Sequence, residues 1–205
     1  MSTCRRPGLG TAGTRPGRGK VTHAAADPWW GVNALDGVLL TFAGIFLHAN
    51  PWVIIAETIL GNGDQAFEYY SEINQATKND MIEQYECEPY VYAQNILGDE
   101  HPLFGTARNS WLTGTASWAY QAATQYILGV RPIFEGILID PCIPSSWDGF
   151  QVTREFRKTA YRIEVKNPHH VCKGVRSVKV DGQEIEGNVV PVVGDGGTHR
   201  VEVTM

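Results

Sequence analysis

The chain has 205 residues, 43% of them hydrophobic and 19% charged, with a formal net charge of −5. That is enough chain for one or two domains with their own cores, and the apolar share excludes a wholly disordered protein. The acidic balance argues against a nucleic-acid partner, and no apolar run of about 18 residues is present to span a membrane.

The four cysteines, Cys4, Cys87, Cys142 and Cys172, are far apart and form no CxxC pair. No metal site is expected from them. Scattered thiols fit a reducing, cytoplasmic compartment, although spacing does not decide whether any two pair. Six Trp and eight Tyr are a rich aromatic supply, which can stack on sugars but more commonly fills cores.

Residues 1–43 stand apart from the rest. Arg5, Arg6, Arg15, Arg18 and Lys20 precede the first acid, Asp27, among dense Gly and Pro. This reads as disordered, and an Arg-rich, acid-poor start also resembles an organelle transit peptide. The preferred expectation is an aberrant or wrongly joined start.

Residues 44–131 read as helical. Asn50-Pro51 is a helix start, with Trp52, Ile55, Ala56 and Ile59 as its apolar face and Gly61 as its stop. A second helix starts at Asp64, with Phe67, Tyr70 and Ile73 as its stripe. A shorter aromatic helix is expected over residues 88–97. The third strong helix runs over residues 113–128, with Ala116, Ala119, Ala123, Tyr126 and Ile127 spaced for burial and Gly129 as its C-terminal stop.

Thr113-Gly114-Thr115 opens that helix. The first N–H groups of a helix lack internal partners and carry partial positive charge. Glycine allows close approach of a ligand, and threonine hydroxyls add donors. The corner therefore suits phosphate or another oxyanion, while an ordinary Thr N-cap is the plainer reading.

Over residues 132–205 the period changes from helix to strand. Ile137–Ile139, Val152–Phe156, Tyr161–Val165, Ser177–Val180, Val189–Val193 and Val201–Val203 are short strands. Asp181-Gly182 is a hairpin turn signal. The expected architecture is α+β in two domains, helical hairpins followed by a small antiparallel β-sandwich.

From Gly44 onward the chain resembles the C-terminal part of inverting disaccharide phosphorylases, the glycoside hydrolase family of the cellobiose, chitobiose and cellobionic acid enzymes. The resemblance rests on Gly44-Ile-Phe-Leu-His48-Ala-Asn-Pro-Trp52, Ala56-Glu57, Glu88-Pro-Tyr-Val-Tyr-Ala-Gln94 and Asn109-Ser-Trp-Leu-Thr-Gly-Thr-Ala116. Pro141-Cys-Ile-Pro-Ser-Ser-Trp-Asp148 and Val165-Lys-Asn-Pro168 extend it. It implies the last helices of an (α/α)6 barrel followed by a β-sandwich. It also implies phosphorolysis of a β-linked glucosyl disaccharide, cellobiose-like, to an α-sugar 1-phosphate. Inorganic phosphate is the co-substrate and nucleophile, no cofactor is needed, and full-length members are commonly homodimers.

The resemblance also assigns residues. His48, Gln94, Thr113 and Gly114 match the family's phosphate-binding positions. A protonated His48 would bring charge and a donor to a dianion, and Gln94 an amide donor. Glu88 and Tyr90 are candidate sugar contacts, with Glu88 equally suited to pairing a buried Arg. Glu57 reads as structural and His101 as surface. His169-His170 is a remote candidate for metal. The family's general acid, an Asp, matches none of these carboxylates and is expected upstream, so the chain alone is expected to be inactive. Leu40-Thr-Phe-Ala43 stands where the family has its acceptor-binding segment, and the resemblance is expected to stop at Gly44. The competing reading is a non-catalytic carbohydrate-binding module.

Overall fold

The computed structural model describes residues 39–40, 44–99 and 101–205. Apart from Leu39–Leu40, the expectations for residues 1–43 lie outside them. Among the described residues no helix is long and apolar enough to cross a membrane.

The helical half contains α1 (Asn50–Leu60), α2 (Gly63–Ile73), the short α3 (Ile82–Tyr85) and α4 (Thr115–Gln121). Pro51 sits in the first turn of α1, where its missing N–H costs nothing, and Gly61 closes the helix at φ +87°. The face expected to be buried is instead the open one. Ile54 and Thr58 are buried, while Trp52 is 49% and Ile59 67% exposed. The physical reason is that α1 is apolar almost all round, so periodicity alone does not choose a side.

After α4 the winding widens into a π-turn over Ala122–Ile127, where the Leu128 N–H bonds to the Ala123 carbonyl five residues back. Such wide turns are rare and often sit near functional sites. Gly129 then takes φ +64° directly against the Asp140 and Pro141 backbone, which leaves no room for a side chain.

A small antiparallel sheet lies inside this half, which the helical reading did not anticipate. It is formed by β1 (Leu39–Leu40), β2 (Gly44–Phe46), β3 (Asn95–Leu97) and β4 (Ala107–Arg108), in that order. The expected helix over residues 88–97 is replaced by a turn and β3. Pro89 and the β-branched Val91 and Ile96 disfavour a helix, and pairing of β3 with two neighbours decides the outcome.

The second half holds β5 (Val130–Pro132), β6 (Gly136–Ile139), β7 (Gly149–Phe156), β8 (Thr159–Lys166), β9 (Ser177–Val180), β10 (Gln183–Ile185), β11 (Val189–Pro191) and β12 (Thr198–Thr204). They form a five-stranded sheet, β10-β9-β12-β8-β7, and a three-stranded sheet, β11-β6-β5. The purely antiparallel expectation is corrected at one seam, since β12 runs parallel to β8 from Thr198 opposite Ala160 to Thr204 opposite Lys166. A parallel pair arises because the chain leaves β8 and returns only after β9–β11, so no hairpin joins the two. Tyr161 on β8 connects the sheets: its hydroxyl donates to the Pro191 carbonyl and accepts from the Val193 N–H.

The two halves are bound by contacts from the end of α1 and the first turns of α2. Asp64 accepts from the Ser145 N–H at 2.8 Å and from its hydroxyl at 3.0 Å, and the Ser145 N–H holds the Asp64 carboxyl below the usual range. Lys173 donates to the Thr58 carbonyl at 2.7 Å and pairs with Asp140 at 3.3 Å. Phe67 meets Trp147 edge-on at 5.0 Å. The helices that carry the candidate site are thus fixed to the β-sheets.

Candidate functional site

His48 lies on a short 3₁₀ turn, Leu47–Ala49, between β2 and α1. Its ring is held by aromatic neighbours on two sides. Phe46 stacks on it at 5.8 Å with 11° between planes, and Trp52 meets it edge-on at 5.6 Å. Trp52 in turn meets Trp118 of α4 at 5.7 Å. The series spans from β2 to α4 and sets where the imidazole sits.

The imidazole lies against Gly114. A Cβ at that position would come within 2.8 Å of His48 Nδ1 and closer still to Cε1. Only the absence of a side chain permits this approach. Gly114 keeps φ −81°, so glycine is required here for space and not for backbone freedom.

Thr113 lies one residue before α4, whose N-cap is Gly114 with no side-chain cap bond. The Thr113 Oγ1 accepts from the Thr115 N–H at 3.1 Å and lies 2.7 Å from Thr115 Oγ1. The plain N-cap reading of Thr113 is therefore corrected: its side chain closes a two-residue turn onto the first N–H of the helix. Thr115 is fully buried, and Ser117 donates to the Gly114 carbonyl at 3.0 Å.

Gln94 joins from a third element. Its carbonyl accepts from the Leu47 N–H at 2.8 Å, which places it beside the turn carrying His48. Its Oε1 accepts from Asn109 Nδ2 at 2.8 Å, and this fixes the amide with Nε2 as the donor end. Asn109, at φ +54°, begins the turn that leads into Thr113. The backbone thus brings together His48, Gln94, Thr113 and Gly114, which lie far apart in sequence.

Among the described residues Glu88 pairs with no arginine. Its Oε1 accepts from the Trp111 indole N–H at 3.0 Å. Its own backbone N–H and this indole N–H hold the carboxyl below its usual range, so it is ionised at neutral pH. Tyr90 is exposed and meets Trp111 edge-on at 6.3 Å. Sequence reasoning gave no role to Trp111 or Asn109, which the structure joins to Glu88 and Gln94. The available signal was an aromatic residue two positions ahead of Thr-Gly, outside any helical stripe.

The remaining candidates lie elsewhere. Glu57 accepts from Asn62 at the end of α1. The His101 Nδ1 accepts from the Leu103 N–H within its own loop. His169 and His170 hold separate partners, Arg176 for one and the Ser145 carbonyl for the other.

Comparison with known proteins bears on the family of the chain. Residues 33–129 match the catalytic domain of the glycosyl hydrolase 94 superfamily, so the match begins upstream of Gly44, where the resemblance was expected to stop. The chain is 48% identical over 161 residues to N,N'-diacetylchitobiose phosphorylase of Vibrio proteolyticus, covering 78% of this chain and 20% of that protein. It is 50% identical over 142 residues to N,N'-diacetylchitobiose phosphorylase of Vibrio furnissii, covering 69% and 18%. It is 36% identical over 187 residues to solabiose phosphorylase of Paenibacillus borealis, covering 88% and 24%. The chain therefore spans about a fifth of the length of these relatives. With the catalytic-domain match over residues 33–129 and identities of 36–50% to disaccharide phosphorylases over most of the chain, this chain belongs to the glycosyl hydrolase 94 superfamily.

Proposed function

We propose that this chain forms the phosphate-holding part of a disaccharide phosphorylase. The observation that carries this reading is the packing of the His48 ring on Gly114 at the head of α4, with the Gln94 amide just ahead of β3. An imidazole, an amide donor and the N-terminal turn of a helix offer an oxyanion several donors from different sides.

In the proposed reaction, phosphate attacks the anomeric carbon from the face opposite the leaving oxygen. The glycosidic C–O bond breaks as the new C–O bond to phosphate forms, which inverts a β-link to an α-sugar 1-phosphate. The leaving oxygen takes a proton from a carboxylic acid. Phosphate replaces the activated water of an inverting glycosidase, so one carboxyl group suffices. Glu88 does not suit that role, because a carboxyl held below its usual range is already ionised. We assign the proton donor to none of the described residues around the site.

The substrate reading shifts from the cellobiose-like disaccharide expected from sequence. Two relatives at 48% and 50% identity are N,N'-diacetylchitobiose phosphorylases, which favours a β-linked N-acetylglucosaminyl disaccharide. The open apolar face of α1, with Trp52 and Ile59 exposed, suits a helix that packs on a further helix, as in an (α/α)6 barrel.

A chimera tests the proposal. The matched region of the Vibrio proteolyticus enzyme is replaced by residues 44–205 of this chain. Release of sugar 1-phosphate from N,N'-diacetylchitobiose that requires phosphate, and that falls with His48→Ala, is the expected result. Phosphate-independent cleavage, or activity indifferent to His48→Ala, would overturn it.

A further inference from the structure

We propose that Trp111 is a sugar-contacting residue: its indole face, braced by Tyr90 and tethered to Glu88, is a platform for the apolar face of a pyranose ring. The proposal deepens the phosphorylase reading and rests on it for the identity of the sugar. The platform itself stands on separate observations.

Trp111 is 66% exposed, and its neighbours Tyr90 and Leu112 are 77% and 72% exposed. Single exposed apolar residues are ordinary, but three large ones in one place are not. Trp111 also takes φ +71°, a left-handed conformation that a bulky side chain rarely adopts. Two residues earlier Asn109 is at φ +54°. The turn over residues 109–112 thus accepts backbone strain and leaves an indole in water, two residues before the Thr113–Gly114 corner. Strain of this kind is retained where the surrounding structure enforces it, and such places cluster at ligand sites.

The ring does not move freely. The Glu88 carboxylate takes its N–H at 3.0 Å, and the Tyr90 ring meets it edge-on at 6.3 Å. An exposed tryptophan that served only as grease would not need a carboxylate to aim it. The combination selects a class of ligand. A flat aromatic face stacks on the C–H face of a pyranose, while a carboxylate at its edge accepts from the equatorial hydroxyls. An anionic ligand would be repelled by Glu88 on this side, so the sugar lies over Trp111 and phosphate at His48 and Gly114. Glu88 is then a positioning residue for the indole as well as an acceptor for the sugar.

The test uses the full chain with its tryptophans labelled with ¹⁵N, so that the indole N–H signals report individually. The Trp111 signal is identified by its loss in Trp111→Phe. N,N'-diacetylchitobiose and cellobiose are titrated separately, and inorganic phosphate is titrated while following the Gly114 amide. The expected result is a saturable shift of the Trp111 signal with at least one disaccharide. Trp111→Ala should weaken that binding about tenfold and Trp111→Phe by less, because a ring remains. Glu88→Gln, which keeps an acceptor for the indole, should retain more affinity than Glu88→Ala. A Trp111 signal indifferent to both sugars, unaltered sugar affinity in Trp111→Ala, or a shift that follows protein concentration and so marks self-association would each overturn the platform. If phosphate moves Gly114 while sugars leave Trp111 still, the platform fails and the phosphate site stands. If sugars move Trp111 while phosphate leaves Gly114 still, the platform stands and the phosphate site fails.

Discussion

The His48 imidazole rests on the Cα of Gly114, and a Cβ there would come within 2.8 Å of Nδ1. The ring has little room to yield, because Phe46 stacks on it and Trp52 abuts it. Gly114→Ala should therefore destabilise the fold by about 1–3 kcal/mol, the usual cost of overpacking. It should also displace His48 and weaken phosphate binding about tenfold or more. Thermal unfolding and a phosphate titration on the same variant check both parts. An alanine that fits without either effect would mean the ring is not positioned by this contact.

Substitution should separate the structural bond of Thr113 from its proposed contact with phosphate. Its Oγ1 accepts from the Thr115 N–H at the start of α4. Thr113→Val should cost about 1 kcal/mol in stability by removing that bond. If the same hydroxyl donates to phosphate, a further charge-assisted bond worth roughly 1.5–3 kcal/mol is lost from binding. Thr113→Ser should retain both. A valine variant that loses stability but binds phosphate normally would leave Thr113 with the structural bond alone.

Glu72 should make stability fall with rising pH. Burial, with the Glu68 charge, pushes its carboxyl up to about 6, and Oε2 is buried with no hydrogen-bond partner among the described residues. A raised carboxyl favours the folded state while protonated, so the deficit appears as pH climbs from the usual 4.5 and is complete above about 6. Glu72→Gln should be more stable than the parent at pH 8, by under about 1 kcal/mol after solvent screening, and no more stable at pH 4. Denaturant melts at the two pH values measure the difference.

His199 is clamped by Asp181 at 2.6 Å and Asp195 at 3.2 Å, which ties the β9–β10 turn and the loop before β12 to that strand. The bond to Asp181, then that to Asp195, raises the imidazole above its usual range. The His199 bond lowers Asp181, and the Gly197 N–H followed by His199 lowers Asp195. The imidazole contribution is full below its unfolded value and is lost as pH rises through the raised folded value. The aspartate contributions are full above their unfolded values and are lost as pH falls through the lowered ones. The stability gap between the parent and His199→Gln should accordingly be widest near pH 5 and narrow by pH 9, as read by thermal melts across that range.

The sequence was legible where local chemistry decides the structure. Asp181 and Gly182 take φ +49° and +82°, the two-residue hairpin that their identities announce. The equivalent turn between β7 and β8 carries Arg157 and Lys158 at φ +48° and +70°, and no turn residue signals it. Strand pairing on both sides forces that turn. The ends of α1 were legible from Pro51 and Gly61, but its buried face was not, because both faces are apolar. Strands of two and three residues, such as β2 and β3, are too short to show a period. The nearness of His48 to Gly114 depends on the packing of a 3₁₀ turn against α4, which no spacing rule encodes. Family motifs named the four candidate residues without showing their arrangement, and although Trp111 lies within one of those motifs they gave it no role; its bond to Glu88 is made across the fold.

The proposed phosphate site lies where His48 meets Gly114. Titration of the full chain with inorganic phosphate, followed by NMR at the Gly114 and Thr113 amides, the Gln94 side-chain amide and the His48 ring, tests it directly. The account predicts that these signals move together along one saturation curve, and that His48→Ala weakens the response of the other three. Signals that stay fixed at these four residues, or that move instead at Arg162 and Arg200 on the open face of the five-stranded sheet, would contradict it.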